Sequence, residues 1–74
     1  MRNKINREKL ISRLVKIRTE KGLTQSIVAK NLGRPQSFVS KYESGERNLD
    51  FIEVFEVLES LGSDPIEVIT EMYR

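Results

Sequence analysis

The sequence predicts an all-α fold of five short helices. Three features carry that reading. No stretch alternates apolar and polar residues for long enough to be a strand. Five stretches instead repeat apolar residues at helical spacing. Capping residues, prolines and glycines punctuate the intervals between them.

Asn6 opens the first helix as an N-cap, with Ile5 and Leu10 at the spacing of a hydrophobic staple. This helix runs from about Arg7 to Lys21 and stops at Gly22. Leu10, Ile11, Leu14, Ile17 and Arg18 share one of its faces. Thr24 opens the second helix, about Gln25 to Leu32, with a Leu23–Val28 staple. Val28, Ala29 and Leu32 form its buried face, Ile27 lies off that face, and Gly33 ends the helix.

The third helix runs from Pro35 to Glu43. Pro35 fits its first turn, where a missing N–H costs nothing. Gly45 suits a left-handed C-terminal cap, and the polar run Glu46-Arg47-Asn48 follows. Asp50 caps the fourth helix, which runs to about Leu61, with Glu53 at its third position and a Leu49–Val54 staple. Phe51, Val54, Phe55, Leu58 and Leu61 are its expected core stripe; Glu53, Glu56, Glu59 and Ser60 are expected to face water. Gly62 ends it, and Asp64-Pro65 opens the fifth helix. Residues 1–5 read as a flexible arm and residues 6–74 as one domain.

Composition narrows the function. The 74 residues include no Cys and no His, which removes disulfides, thiolate metal sites, the commonest metal ligand and the commonest general base. No nucleophile–base pair, metal cluster or phosphate-cradling glycine loop is present, so neither catalysis nor a cofactor is expected. No apolar run approaches a membrane span and no signal peptide opens the chain, so a cytoplasmic protein is expected. The net charge of +2 conceals a split. Residues 1–48 hold 12 Lys or Arg against 4 Asp or Glu, whereas residues 49–74 hold 1 Arg against 7 acids. One part of the domain is therefore a basic surface suited to a polyanion.

The candidate reading element lies in that basic part. At 100° per residue, Phe38, Val39 and Tyr42 fall on one side of the third helix. Gln36, Ser37, Ser40 and Lys41 fall on the other, within about 140° of arc. Amide, hydroxyl and ammonium groups of this kind read base edges in a major groove: Gln suits adenine, Lys guanine, Ser several partners. Taken alone, such a face is equally a solvated one, and its context decides.

That context is the spacing from Gln25 to Tyr42. Ala29 is fifth and small where two helices cross, and Gly33 is ninth and permits a tight turn. Val28, Leu32, Val39 and Tyr42 fill the apolar fourth, eighth, fifteenth and eighteenth positions. The run Leu-Thr-Gln-Ser-Ile-Val-Ala-Lys-Asn-Leu-Gly, followed by Gln-Ser-Phe-Val-Ser-Lys-Tyr-Glu-Ser-Gly-Glu-Arg, resembles the helix-turn-helix of Cro/repressor-type proteins, the XRE family. The resemblance spans roughly residues 10 to 70. It implies a repressor-like domain that binds double-stranded DNA and regulates transcription.

The resemblance also assigns roles. Gln36, Ser37, Ser40 and Lys41 match base-reading positions. Gln25 matches a phosphate-binding glutamine at a helix N-terminus. Gly45, Arg47, Asn48 and the turn residue Arg34 are further phosphate candidates. Arg18 and Glu43 match a partly buried ion pair, with Arg18 also placed to face a phosphate. Two positions depart from the family pattern: Arg34 replaces an apolar residue and Pro35 a capping Ser or Thr.

A homodimer on an inverted repeat is expected, its two reading helices about 34 Å apart. Helix five has a wider apolar face than one small core needs. With Ile66, Ile69 and Tyr73 turned inward, Val68 and Met72 are left at the edge, joined by Val57 on the flank of helix four. These three are the expected dimer interface. No small-molecule effector is expected. The alternative use of the same fold is a protein-interaction module or an antitoxin component.

Overall fold

The computed structural model describes residues 5–74; most of the expected N-terminal arm lies outside the described residues. Five helices follow one another: α1 (Arg7–Glu20), α2 (Gln25–Leu32), α3 (Gln36–Glu43), α4 (Phe51–Ser60) and α5 (Pro65–Tyr73). No strand occurs among the described residues. Helix α3 packs against α2 and α1, α2 also packs on α4, and α4 carries α5.

Local chemistry sets most of the helix boundaries. The side chains of Asn6, Thr24, Asp50 and Asp64 each accept a first-turn N–H, from Lys9, Ile27, Glu53 and Ile66 respectively. At α4 the cap is reciprocal: Asp50 Oδ1 accepts the Glu53 N–H at 2.8 Å, and Glu53 Oε1 accepts the Asp50 N–H at 3.1 Å. Between α2 and α3 the chain turns through Gly33 at φ +71°, and the Arg34 N–H closes on the Ala29 carbonyl at 3.0 Å. A side chain at Gly33 would strain this left-handed conformation.

Pro35 departs from the expected register. It is the N-cap of α3, not its first helical residue, with extended ψ of 153° and no side-chain bond to the helix. Its ring fixes φ near −63° and offers no acceptor, so α3 starts at Gln36 without a polar cap.

The core comprises Leu14 from α1, Val28 and Ala29 from α2, Phe38, Val39 and Tyr42 from α3, Val54, Val57 and Leu58 from α4, Leu61, and Val68 from α5. Phe38 and Tyr42 meet edge-to-face at 5.7 Å between ring centroids. Every buried side-chain polar atom among the described residues has a partner.

Helix α4 is rotated about its axis from the expected setting. Its buried arc is Glu53, Val54, Val57 and Leu58, continued by Leu61, while Phe51 is exposed. Glu53 therefore does not face water. Its carboxylate can lie inward because two guanidiniums and the Asp50 N–H satisfy it. Helix α5 turns likewise. Val68 is buried, Met72 and Ile69 pack on the core, and Ile66 and Tyr73 point outward.

Candidate nucleic-acid interface

Helix α3 divides as its periodicity requires. Phe38, Val39 and Tyr42 are buried, whereas Gln36, Ser37 and Lys41 are exposed. The Lys41 ammonium and the Ser37 hydroxyl make no hydrogen bond or ion pair with any described residue, so both are available to a ligand. Ser40 is half-buried, and its hydroxyl donates to the Ser37 carbonyl at 3.2 Å. That bond spends its proton on the helix backbone and leaves it only an acceptor to offer.

The helix is anchored at its C-terminal end by Glu43. Arg18 donates Nε–H to Glu43 Oε2 at 2.7 Å and an Nη2 proton to Oε1 at 3.0 Å. The same guanidinium donates to the Leu23 carbonyl at 2.9 Å, tying the α1–α2 turn into the pair. The side chains are 15% and 8% exposed, so the expected ion pair exists and is largely dry. Its hydrogen bonds to Glu43 raise the Arg18 pKa further above its ordinary value, against the opposing effect of burial. Burial also pushes the neighbouring Tyr42 phenol well above its usual range.

From Glu43 the contacts run outward. Gln25 Nε2 donates to Glu43 Oε1 at 2.9 Å, Gln36 Nε2 to Gln25 Oε1 at 3.4 Å, and the Ser26 hydroxyl to Gln36 Oε1 at 3.0 Å. The sequence pointed to the Arg18–Glu43 pair and, apart from it, to Gln25 and Gln36; the structure joins all four in one line. Ser26 was missed, and at 100° per residue its place beside Gln25 gave no sign that it would reach Gln36.

A second cluster flanks α3. Arg47 makes two hydrogen bonds to Glu53, both 3.0 Å, and Arg34 lies 3.4 Å from the same carboxylate. Both guanidiniums also lie over the Phe38 ring, at 4.3 Å for Arg34 and 4.7 Å for Arg47. The hydrogen bonds from Arg47, then the Asp50 N–H, hold the Glu53 carboxyl below its usual range, and the same bonds raise Arg47. Arg34 and Arg47, expected as free phosphate ligands, are thus committed to Glu53 while remaining more than a third exposed. Glu53 is the residue that sequence reasoning overlooked most. Its capping box was legible, but nothing in the spacing showed two arginines converging on it.

The remaining assignments divide. Asn48 is exposed beside this cluster, and the Gly45 carbonyl accepts from Arg7 at 3.3 Å. Two of the three expected dimer residues, Val57 and Val68, are not at a surface, and the third, Met72, is half-buried. Val57 is 0% exposed, Val68 is 8% exposed and Met72 packs against the core, because the monomer needs them to close α4 on α5. The large apolar side chains that α4 and α5 leave exposed are Phe51, Ile52, Ile66 and Tyr73.

Comparison with known proteins identifies the arrangement. The family model described as helix-turn-helix matches residues 14–68. An XRE-family like protein from Pseudomonas syringae pv. tomato superposes with a TM-score of 0.86 at 41% identity, over 89% of this chain and 80% of that one. The chain belongs to the XRE family of helix-turn-helix transcriptional regulators. This XRE regulator is also similar to the uncharacterized HTH-type transcriptional regulator y4dJ of Sinorhizobium fredii, with 37% identity over 59 residues, 80% of this chain and 77% of that protein. The restriction-modification controller protein C.Esp1396I aligns with a TM-score of 0.81 at 28% identity, over 90% and 85% of the two chains. The controller C.AhdI from Aeromonas hydrophila aligns at 0.71 and 32% identity, over 80% and 89%. Among the described residues of this XRE regulator, no helix is long and apolar enough to cross a membrane.

Proposed function

We propose that this regulator binds a specific double-stranded DNA site by laying α3 in the major groove. Gln36, Ser37 and Lys41 read base edges, and Ser40 contributes as an acceptor. The observation that carries this reading is the division of α3: three polar side chains exposed along one edge, three apolar ones buried on the other. Gln25 and the N-terminal N–H groups of α2 contact one phosphate. Arg34, Arg47, Asn48 and the Gly45 backbone contact others on either side of α3. Arg18 acts through the fold, since all three of its guanidinium nitrogens are already engaged. Its work is done in the cytoplasm.

The regulator acts as a homodimer on an inverted repeat. The exposed side chains Phe51, Ile52, Ile66 and Tyr73 support this, since apolar groups of that size gain from burial between two copies. Selection of bound sites from random duplex DNA tests the function directly. The parent chain is expected to enrich an inverted repeat, and Lys41→Ala to lose enrichment at one defined base pair of each half. Enrichment of no sequence would end the proposal.

A further inference from the structure

We infer that Glu43, at the far end of α3, fixes which way the Gln36 carboxamide points and so which base it prefers. This rests on the major-groove reading above. A glutamine amide has a donor end and an acceptor end of nearly the same shape, and which end faces a base decides what is read. In this molecule the choice is made remotely. Both Glu43 side-chain oxygens accept hydrogen bonds from the Arg18 guanidinium, so Glu43 presents only acceptors. The Gln25 group 2.9 Å away must therefore be its NH2. The Gln25 oxygen then faces Gln36, and the Gln36 group that meets it at 3.4 Å must be NH2 in turn. The Gln36 oxygen is left toward Ser26, whose hydroxyl donates to it at 3.0 Å.

The direction of this relay runs from Glu43 to Gln36 and not the reverse. A serine hydroxyl can donate or accept, so Ser26 follows either orientation and selects neither. A carboxylate cannot reverse. Each end of the Gln36 amide keeps one unused capacity, a second N–H and a second lone pair. Those two, side by side with fixed polarity, match N7 and the N6 amino group of adenine. An amide free to turn over would meet guanine's O6 and N7 with its NH2 end instead. Glu43 is thus a positioning residue for specificity, acting through Gln25.

The test is base preference at the Gln36 position, measured on a panel of duplexes that differ only there. The parent is expected to favour adenine over guanine by roughly 5- to 100-fold, the range for one bidentate pair. Glu43→Gln supplies an end that can donate or accept, and Gln25→Met cuts the relay while leaving the Arg18–Glu43 pair intact. Both are expected to bring the adenine-to-guanine ratio within about threefold; Gln25→Met also gives up its phosphate contact, which lowers affinity for both duplexes alike and leaves the ratio as the readout. Ser26→Ala is expected to keep adenine as the preferred base. Should Glu43→Gln unfold, which circular dichroism reports, Gln25→Met carries the test. Variants that lose affinity equally for both bases would show a merely structural role and overturn the inference, as would an unchanged ratio in Gln25→Met. A parent that discriminates among no duplexes would instead defeat the DNA-reading proposal itself.

Discussion

Arg18 and Glu43 join α1 to the end of α3 through two hydrogen bonds, at 2.7 and 3.0 Å, in a setting almost closed to solvent. Removing one partner leaves the other charge buried and unpaired, which costs more than the pair contributes. Arg18→Ala is expected to destabilise the fold by about 3–5 kcal/mol in chemical denaturation. A double-mutant cycle with Glu43→Ala should show strong coupling, because the second deletion relieves the first. Additive losses would mean that the two groups act independently.

Base reading by α3 separates from backbone contact by its dependence on sequence. Gln36→Ala and Lys41→Ala are each expected to cost about 1–3 kcal/mol on the selected site and much less on random DNA. Titration of both duplexes at one salt concentration makes the comparison. Equal losses on the two would reassign these side chains to phosphates.

Glu53 gives the domain an acid-sensitive joint. Its carboxyl pKa is lowered in the fold, first by Arg47 and then by the Asp50 N–H. A lowered folded value means stability that is complete above the ordinary glutamate value and is lost as pH falls through the lowered one. Glu53→Gln is expected to be less stable at neutral pH and to show a shallower loss on acidification than the parent. Thermal melts across an acid series measure it; parallel curves for the two proteins would count against the account.

The exposed apolar residues make the association testable by charge. Ile66→Glu and Tyr73→Glu each remove about 1.5–3 kcal/mol of burial if two copies meet there, roughly a ten- to hundredfold weaker dimer. Both residues are more than half exposed in the monomer, so its stability should change little. Sedimentation over a concentration series reads the difference. A parent that stays monomeric at high micromolar concentration would refute the pairing.

Much of this fold was legible because its signals are local. Asn6, Thr24, Asp50 and Asp64 announce helix starts through their own side chains, and each does cap. The Arg18–Glu43 pair was legible through the family pattern. The setting of α4 was not. Residues 51–58 include six apolar side chains, so two different arcs satisfy the same periodicity. The selection between them depends on where Arg34 and Arg47 bring their charges, and that is decided in three dimensions. The fate of Val57 and Val68 followed from the same ambiguity, since a face cannot be assigned to the outside until the inside is known. Pro35 was displaced by one position because a proline satisfies both an N-cap and a first helical residue in φ, and ψ distinguishes them.

One carboxylate holds three parts of the chain at once. Glu53 closes the start of α4, grips Arg47 after α3 and lies beside Arg34 before it. The helix it starts also bears Phe51 and Ile52. The angle between α3 and the apolar surface is therefore set inside each copy of the chain. Two subunits joined through that surface would act as a fixed calliper, its jaws a set number of base pairs apart. An operator whose half-sites keep their sequence but gain or lose a base pair between them should be rejected as firmly as one with the wrong bases.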